Sequence, residues 1–221
     1  MGPGAKKQFR EVRGEPLLAR TLRALLSTGK IDTLTLAVPA GEMALVESEI
    51  LPRGEAIDAQ AVVGGADRQE SVARGLLALG GCAPGDIVLV HDGVRPFVTA
   101  AVLDEVIEAA REVGAATCGV PAKDTIKLVA PCAQGLSVIE RTIERGRCYL
   151  TQTPQAFQYA ILKEAHERWE REMPGERATD DAMMVERLGR PVAMTRGLYE
   201  NLKITTPEDF LLAEAIAARW E

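Results

Sequence analysis

Histidine is scarce in this chain, with two residues in 221. No Ser-His-Asp order and no cysteine–histidine pairing is evident, so acyl transfer through a hydroxyl or thiol is not favoured. Cysteine is nearly as rare. Cys82, Cys118, Cys132 and Cys148 form no CxxC pair, and no histidines stand at zinc-finger spacing. That argues against a disulfide or zinc framework and makes a reducing cytoplasm the expected setting. Long apolar runs are missing too. None approaches the roughly 20 residues of a membrane-spanning helix, and no signal-peptide pattern is seen at the N-terminus. Positive charge is not in excess. A formal net charge of −6 argues against a general binder of nucleic acid or anionic membrane, while leaving room for a local basic site that takes a phosphorylated small molecule.

What is present is a balance of 47% hydrophobic and 26% charged residues, enough for one domain with a sizeable core. Helix and strand patterns alternate along it. A helix over "PLLARTLRALLSTG" has Pro16 in its first turn and Gly29 as its stop. Strand 33–38, helix 42–50, strand 59–63, a helix over "RQESVARGLLAL", strand 87–90, a helix ended by Gly114 and a strand through "AATCGV" follow. This alternation predicts βαβ units and a mostly parallel sheet. The rhythm breaks after Pro121. Thr125–Val129 and Ser137–Glu140, around Pro131 and Gly135, read as a hairpin or arm. Helices at 158–170 and 180–188 and a strand at 192–195 come next. A last helix is opened by the capping-box residues Thr206 and Asp209.

The strand "IVLV" runs directly into "HDGVRPFV". Ligands of open parallel sheets bind beyond the carboxyl ends of the strands, so His91, Asp92 and Arg95 are delivered to a cleft. Asp92 can ligate Mg²⁺ and Arg95 can grip a phosphate, or the two can form a local ion pair. His91 reads as a hydrogen-bonded structural residue. Gly64-Gly65, followed by Arg68 and Ser71, either presents amides and a hydroxyl to a base or phosphate or is a plain strand-to-helix turn. Thr179 is a natural helix cap, with Asp180 and Asp181 in the first turn. Lys7, Arg68, Arg95, Arg145 and Lys203 together would suit a multiply charged anion on an otherwise acidic chain.

Taken in order, "GGADRQESVARGL", "VLVHDGVRPFV", "PAKDTIK", "TQTPQAF", "TDDAMMVE" and "NLKITTPEDF" closely resemble the 2-C-methyl-D-erythritol 4-phosphate cytidylyltransferase family. The resemblance runs from about Lys7 to the C-terminus. It implies a single Rossmann-like α/β domain over 1–221, with helices on both faces of a twisted sheet and a dimerisation arm at about 123–147. It also implies a homodimer that joins CTP to a polyol phosphate with Mg²⁺. Carried over by motif, Lys7 is the lysine that stabilises the transition state, and Arg145 and Lys203 position the substrate phosphate. Gly65, Arg68, Ser71 and Asp92 hold CTP, with Asp92 also the metal ligand. Arg95, Thr125, Thr153 and Thr179 face the substrate, Thr125 and Arg145 from the partner's arm. Ribitol 5-phosphate is the alternative substrate, and a non-catalytic nucleotide binder the alternative class.

"HDGVRP" and "KKQF" stand where the family usually has HDAARP and PKQY. The family's first strand and glycine-rich phosphate loop, roughly AAGxGxRMG, are not found before Lys7. The expectation is therefore that strands 33–38 and 87–90 flank an unfilled strand position and do not pair with each other. A polypeptide starting at Met1 is then expected to be insoluble or inactive, because its facing backbone groups lack partners.

Overall fold

Local signals set many of the element boundaries. The Thr99 hydroxyl accepts the Val102 amide at 3.4 Å and opens a helix that ends at Gly114, whose φ of 99° suits a residue without a Cβ. The computed structural model describes residues 7–51, 57–131 and 135–220. In chain order, a short antiparallel pair β1 (Glu11–Val12) and β2 (Glu15–Pro16) leads into α1 (Leu17–Leu26), β3 (Thr33–Val38), α2 (Met43–Leu45) and β4 (Asp58–Val63). Then come α3 (Arg68–Ala78), β5 (Ile87–Val90), α4 (Ala100–Val113) and β6 (Ala115–Pro121). The hairpin strands β7 (Lys127–Pro131) and β8 (Ser137–Thr142) follow, then β9 (Tyr149–Gln158), α5 (Tyr159–Glu172), α6 (Asp181–Arg187), β10 (Ala193–Arg196) and α7 (Pro207–Trp220).

The main sheet has the order β10-β6-β9-β5. It is mixed, which corrects the expectation of a mostly parallel sheet: β10 runs parallel to β6, but β9 is antiparallel to both its neighbours. Sequence pattern gives no sign of β9. Its "TQTPQ" carries Gln152, Thr153 and Gln155, all buried, and polar residues read as solvent-facing until partners for them are known. One face of the sheet packs on α4 through Val102, Leu103, Val106 and Ala110. The other packs on α5 and α6 through Leu162, Trp169, Met184 and Val185. That covering on both sides explains why Ala115–Val120 are all buried.

Strands β3 and β4 form a separate parallel pair. Among the described residues β3 pairs with β4 and β5 with β9, and β3 does not pair with β5. A cavity of about 460 Å³ lies between them, walled by residues 33–38 on one side and 87–90 on the other. The helix expected over 42–50 is a 3₁₀ turn, one α turn and a π turn in succession, with Val46 and Ile50 buried against Leu18 and Leu22 of α1. Pro16 is the residue before α1 and not part of its first turn. The β7–β8 hairpin is antiparallel and leaves Val129, Leu136, Val138 and Ile139 exposed. Cys132, in its connection, lies outside the described residues.

Candidate active site

The chain leaves β5 through His91 and Asp92 and meets a ring of cations. Asp92 Oδ2 lies 3.0 Å from Lys203 Nζ and 3.3 Å from Arg95 Nε, and Oδ1 lies 3.3 Å from Arg68 Nε. Burial by itself would push the carboxyl pKa up. The Lys203 ammonium, then Arg68 and Arg95, overcome that and hold it at about 2. Thr153 supports the loop from β9, its hydroxyl accepting the Asp92 amide at 3.0 Å and contacting His91 Nδ1 at 3.2 Å. On the other side of the ring, His91 Nε2 lies 3.0 Å from the Arg95 carbonyl. A carbonyl only accepts, so Nε2 carries the proton and Nδ1 accepts from Thr153. Burial depresses the His91 pKa to about 4, so the ring is neutral near pH 7.

Arg68 begins α3 and forks between two carboxylates. Its Nη1 donates to Asp181 Oδ2 at 2.7 Å while Nε faces Asp92. Asp181 is fully buried and also holds His166 Nε2 at 2.9 Å. Its burial is outweighed by the His166 hydrogen bond and the Arg68 charge, which keep the carboxyl below the usual range. Gln155 Oε1 accepts the Asp181 amide at 3.2 Å, and its Nε2 donates to Asp180 Oδ2 at 2.9 Å. Arg68 Nη2 is buried without a hydrogen-bond partner among the described residues. A buried donor of that kind calls for an acceptor that the described residues do not supply.

The Gly64-Gly65 turn adjoins this arginine. Ser71 Oγ donates to the Asp67 carbonyl at 2.7 Å and accepts the Gly65 amide at 3.0 Å. Asp67 caps α3 by accepting the Glu70 amide at 2.9 Å. A Cβ at Gly65 would fall onto the Glu70 side chain, so the close approach requires glycine. The Ser71 hydroxyl is thus engaged within the turn, and the Gly65 amide with it. Arg68, Ser71, His91, Asp92 and Gly93 all line the cavity between β3 and β5.

Lys203 arrives on a loop stitched to the same centre. Gln152 brackets Leu198 through both its amide groups at 2.7 and 3.2 Å, the Arg95 guanidinium donates to the Asn201 carbonyl at 2.7 Å, and the Ile204 amide donates to the Val94 carbonyl at 3.0 Å. Arg95 is therefore a buried clamp on this loop as well as a neighbour of Asp92. Five of the expected residues, Arg68, Asp92, Arg95, Thr153 and Lys203, share one cluster, with Gly65 and Ser71 on its flank. Thr125 and Arg145 sit exposed at the base of the arm, where Arg145 Nη1 donates to the Lys123 carbonyl at 2.7 Å. Thr179 is exposed and its hydroxyl points to Met183 Sδ at 3.5 Å. The cap of α6 is Asp180, which accepts the Met183 amide at 2.9 Å, and not Thr179. The Lys7 backbone starts a 3₁₀ turn over Lys7–Phe9, while its side chain lies outside the described residues. Asp181, His166, Gln155 and Asn201 were missed by sequence reasoning. The doubled acid in "TDDA" was the available signal, since one dipole-facing acid suffices for a cap.

A match to the family profile "IspD: 2-C-methyl-D-erythritol 4-phosphate cytidylyltransferase" covers residues 1–219. The chain belongs to this family. The cytidylyltransferase of Geobacter metallireducens is 43% identical over 217 residues, covering 97% of this chain and 90% of the relative. The crystal structure of the Thermus thermophilus cytidylyltransferase aligns with a TM-score of 0.77 at 40% identity, over 97% of this chain and 95% of that one. The 4-diphosphocytidyl-2C-methyl-D-erythritol synthase of Anaerococcus prevotii aligns with a TM-score of 0.85 at 30% identity, over 98% and 94% of the two chains. Arg68, Asp92, Arg95 and Lys203 all fall within the motifs that carry the resemblance. Among the described residues, no helix is long and apolar enough to cross a membrane.

Magnesium has a limited set of donors here. Among the described residues no three His, Cys, Asp or Glu side chains are grouped to hold a metal. Two ionised carboxylates touch the cation cluster, but Asp181 is fully buried and engaged by Arg68 and His166, which leaves Asp92 as the one that lines the cavity. That donor set does not make a cage, but it fits a Mg²⁺ that arrives with phosphate oxygens and waters as its other ligands.

Proposed function

We infer that this protein joins CTP and 2-C-methyl-D-erythritol 4-phosphate, releasing pyrophosphate and giving CDP-methylerythritol for isoprenoid synthesis by the non-mevalonate route. One observation carries the reading: an ionised carboxylate held at the end of β5 by three cations from separate parts of the chain, in a member of this family. The attacking phosphate oxygen is already anionic near neutral pH, so no strong general base is needed. The demand is to bring two anions together and hold them in line. Arg68 offers its unpartnered Nη2 on the nucleotide side. Lys203, with a side chain 44% exposed, can turn from Asp92 to a phosphate. Thr153, with its hydroxyl committed to the Asp92 amide, sets the loop. When bound, Mg²⁺ neutralises the triphosphate, with Asp92 as its protein ligand. A neutral His91, tied on both nitrogens, serves the loop and not proton transfer.

The site is completed by a second copy in this reading. The exposed apolar side chains on β7 and β8 form a twofold contact that brings Thr125 and Arg145 to the neighbour's cleft, and the homodimer works in the cytoplasm. The test is pyrophosphate release from a full-length protein. Release should require CTP, methylerythritol phosphate and Mg²⁺ together. Equal turnover with every nucleoside triphosphate, or preference for ribitol 5-phosphate, would count against it.

A further inference from the structure

Asn201 is fully buried and stands two residues before Lys203. Its side-chain Nδ2 donates to the Thr153 carbonyl at 2.9 Å, and its own carbonyl accepts Arg95 Nη1 at 2.7 Å. Thr153 accepts the Asp92 amide on its hydroxyl at 3.0 Å, and Asp92 meets Lys203 Nζ at 3.0 Å. These contacts close a ring that runs from Asn201 to β9, to the loop after β5, to Lys203 and back along the chain. Arg95 braces it from inside, touching both Asp92 and Asn201.

Two features separate Asn201 from ordinary packing. Its Oδ1 is buried with no hydrogen-bond partner among the described residues, which costs stability that a leucine of similar shape would not. The side chain therefore has value as a donor, through Nδ2. The second feature is the contrast with Lys203. A lysine tip rides on a flexible four-carbon stem, and this one is 44% exposed, so it is placed only as well as the backbone beneath it. A buried amide behind a mobile ammonium is a supporting arrangement for a ligand-facing group.

We propose that Asn201 is a positioning residue, fixing the backbone from which Lys203 reaches the Asp92 centre and thereby holding the ammonium where the polyol phosphate binds. What Lys203 binds rests on the cytidylyltransferase reading. The geometry does not.

A double-mutant cycle tests it. Pyrophosphate release is measured for wild type, N201A, K203A and the double variant, as kcat/KM for methylerythritol phosphate at saturating CTP. N201A should lose roughly 10- to 100-fold, the scale of a misplaced active-site group. Added to K203A, it should cost less than about twofold, because the group it positions is already gone. Equal losses in both backgrounds would overturn the proposal, since Asn201 would then serve the fold or another group. Loss of a buried amide can unfold a chain, so circular dichroism checks each variant, and N201S replaces N201A if the latter is unfolded. A crystal structure of the folded variant gives a readout free of activity. Lys203 Nζ should lie beyond about 4 Å from Asp92, the limit of an ion pair; an unmoved ammonium would sink the idea. An inactive wild type would count against the cytidylyltransferase reading, and the crystallographic arm would then decide Asn201 alone.

Discussion

Lys203 Nζ and Asp92 Oδ2 stand 3.0 Å apart, although they are 111 positions apart in the chain. The pair leaves the ammonium on the solvent side and the carboxylate nearly buried, so an arriving anion meets the cation first. Asp92→Asn removes the one negative charge that Arg68, Arg95 and Lys203 share. We expect kcat to fall by about 10²–10³, the usual loss for a preorganised electrostatic group. Steady-state kinetics decide: a rise in KM with kcat unchanged would mean that Asp92 only helps binding.

Mixed dimers test the arm. A Lys203→Ala chain and an Arg145→Ala chain are each expected to be nearly inactive alone. If Arg145 acts on the neighbouring subunit, every mixed dimer keeps one intact site. Free exchange makes half the dimers mixed, so about a quarter of wild-type activity should return. No recovery in a verified exchange would place Arg145 in its own subunit's site.

His91 gives the protein a pH-dependent stability. Its pKa is about 4 in the fold against an ordinary 6.5, so the unfolded chain binds the proton more readily. The contribution is fully present above pH 6.5, declines as pH falls below that value and is lost once pH passes through about 4. About 3–4 kcal/mol at most is involved, the shift converted at 1.36 kcal/mol per unit. Urea unfolding between pH 7.5 and 4.5, in metal-free buffer, should show a shallower decline for His91→Gln than for wild type. Parallel declines would show that His91 is not the group responsible.

Gly114 tests the junction between α4 and β6. Its φ is 99°, and an added Cβ would come within 2.6 Å of Ile161 Cδ1. Gly114→Ala should destabilise the protein by about 1–3 kcal/mol. Its denaturant midpoint should drop with the m-value unchanged. An unshifted midpoint would show that the backbone relaxes without cost.

Features set by neighbours in sequence were legible in the sequence. Strand boundaries at 33–38 and 87–90 agree with β3 and β5. Gly114 ends its helix, and Thr206 and Asp209 exchange capping hydrogen bonds at 2.7 and 3.3 Å at the start of α7. In each case the groups that decide the conformation lie within a few residues, so composition and spacing carry the information. The delivery of Asp92 to a cavity followed from the same logic, as an apolar strand ending in charge, whereas Arg95 lies buried behind it.

Only the tertiary structure decided the rest. β9 was not visible because Gln152, Thr153 and Gln155 are buried only by virtue of partners elsewhere, at Leu198, Asp92, Asp180 and Asp181. Arg68 finds Asp181 across 113 positions, and Thr153 finds Asn201 across 48. No local pattern marks a polar side chain as buried, since burial of a polar group is tolerable only when a distant chain segment supplies its hydrogen bond. The sequence by itself determined the strand-end charges and most of the helical frame. Folding determined which charges meet, because ion pairs and buried amides depend on separations in space that chain spacing does not encode.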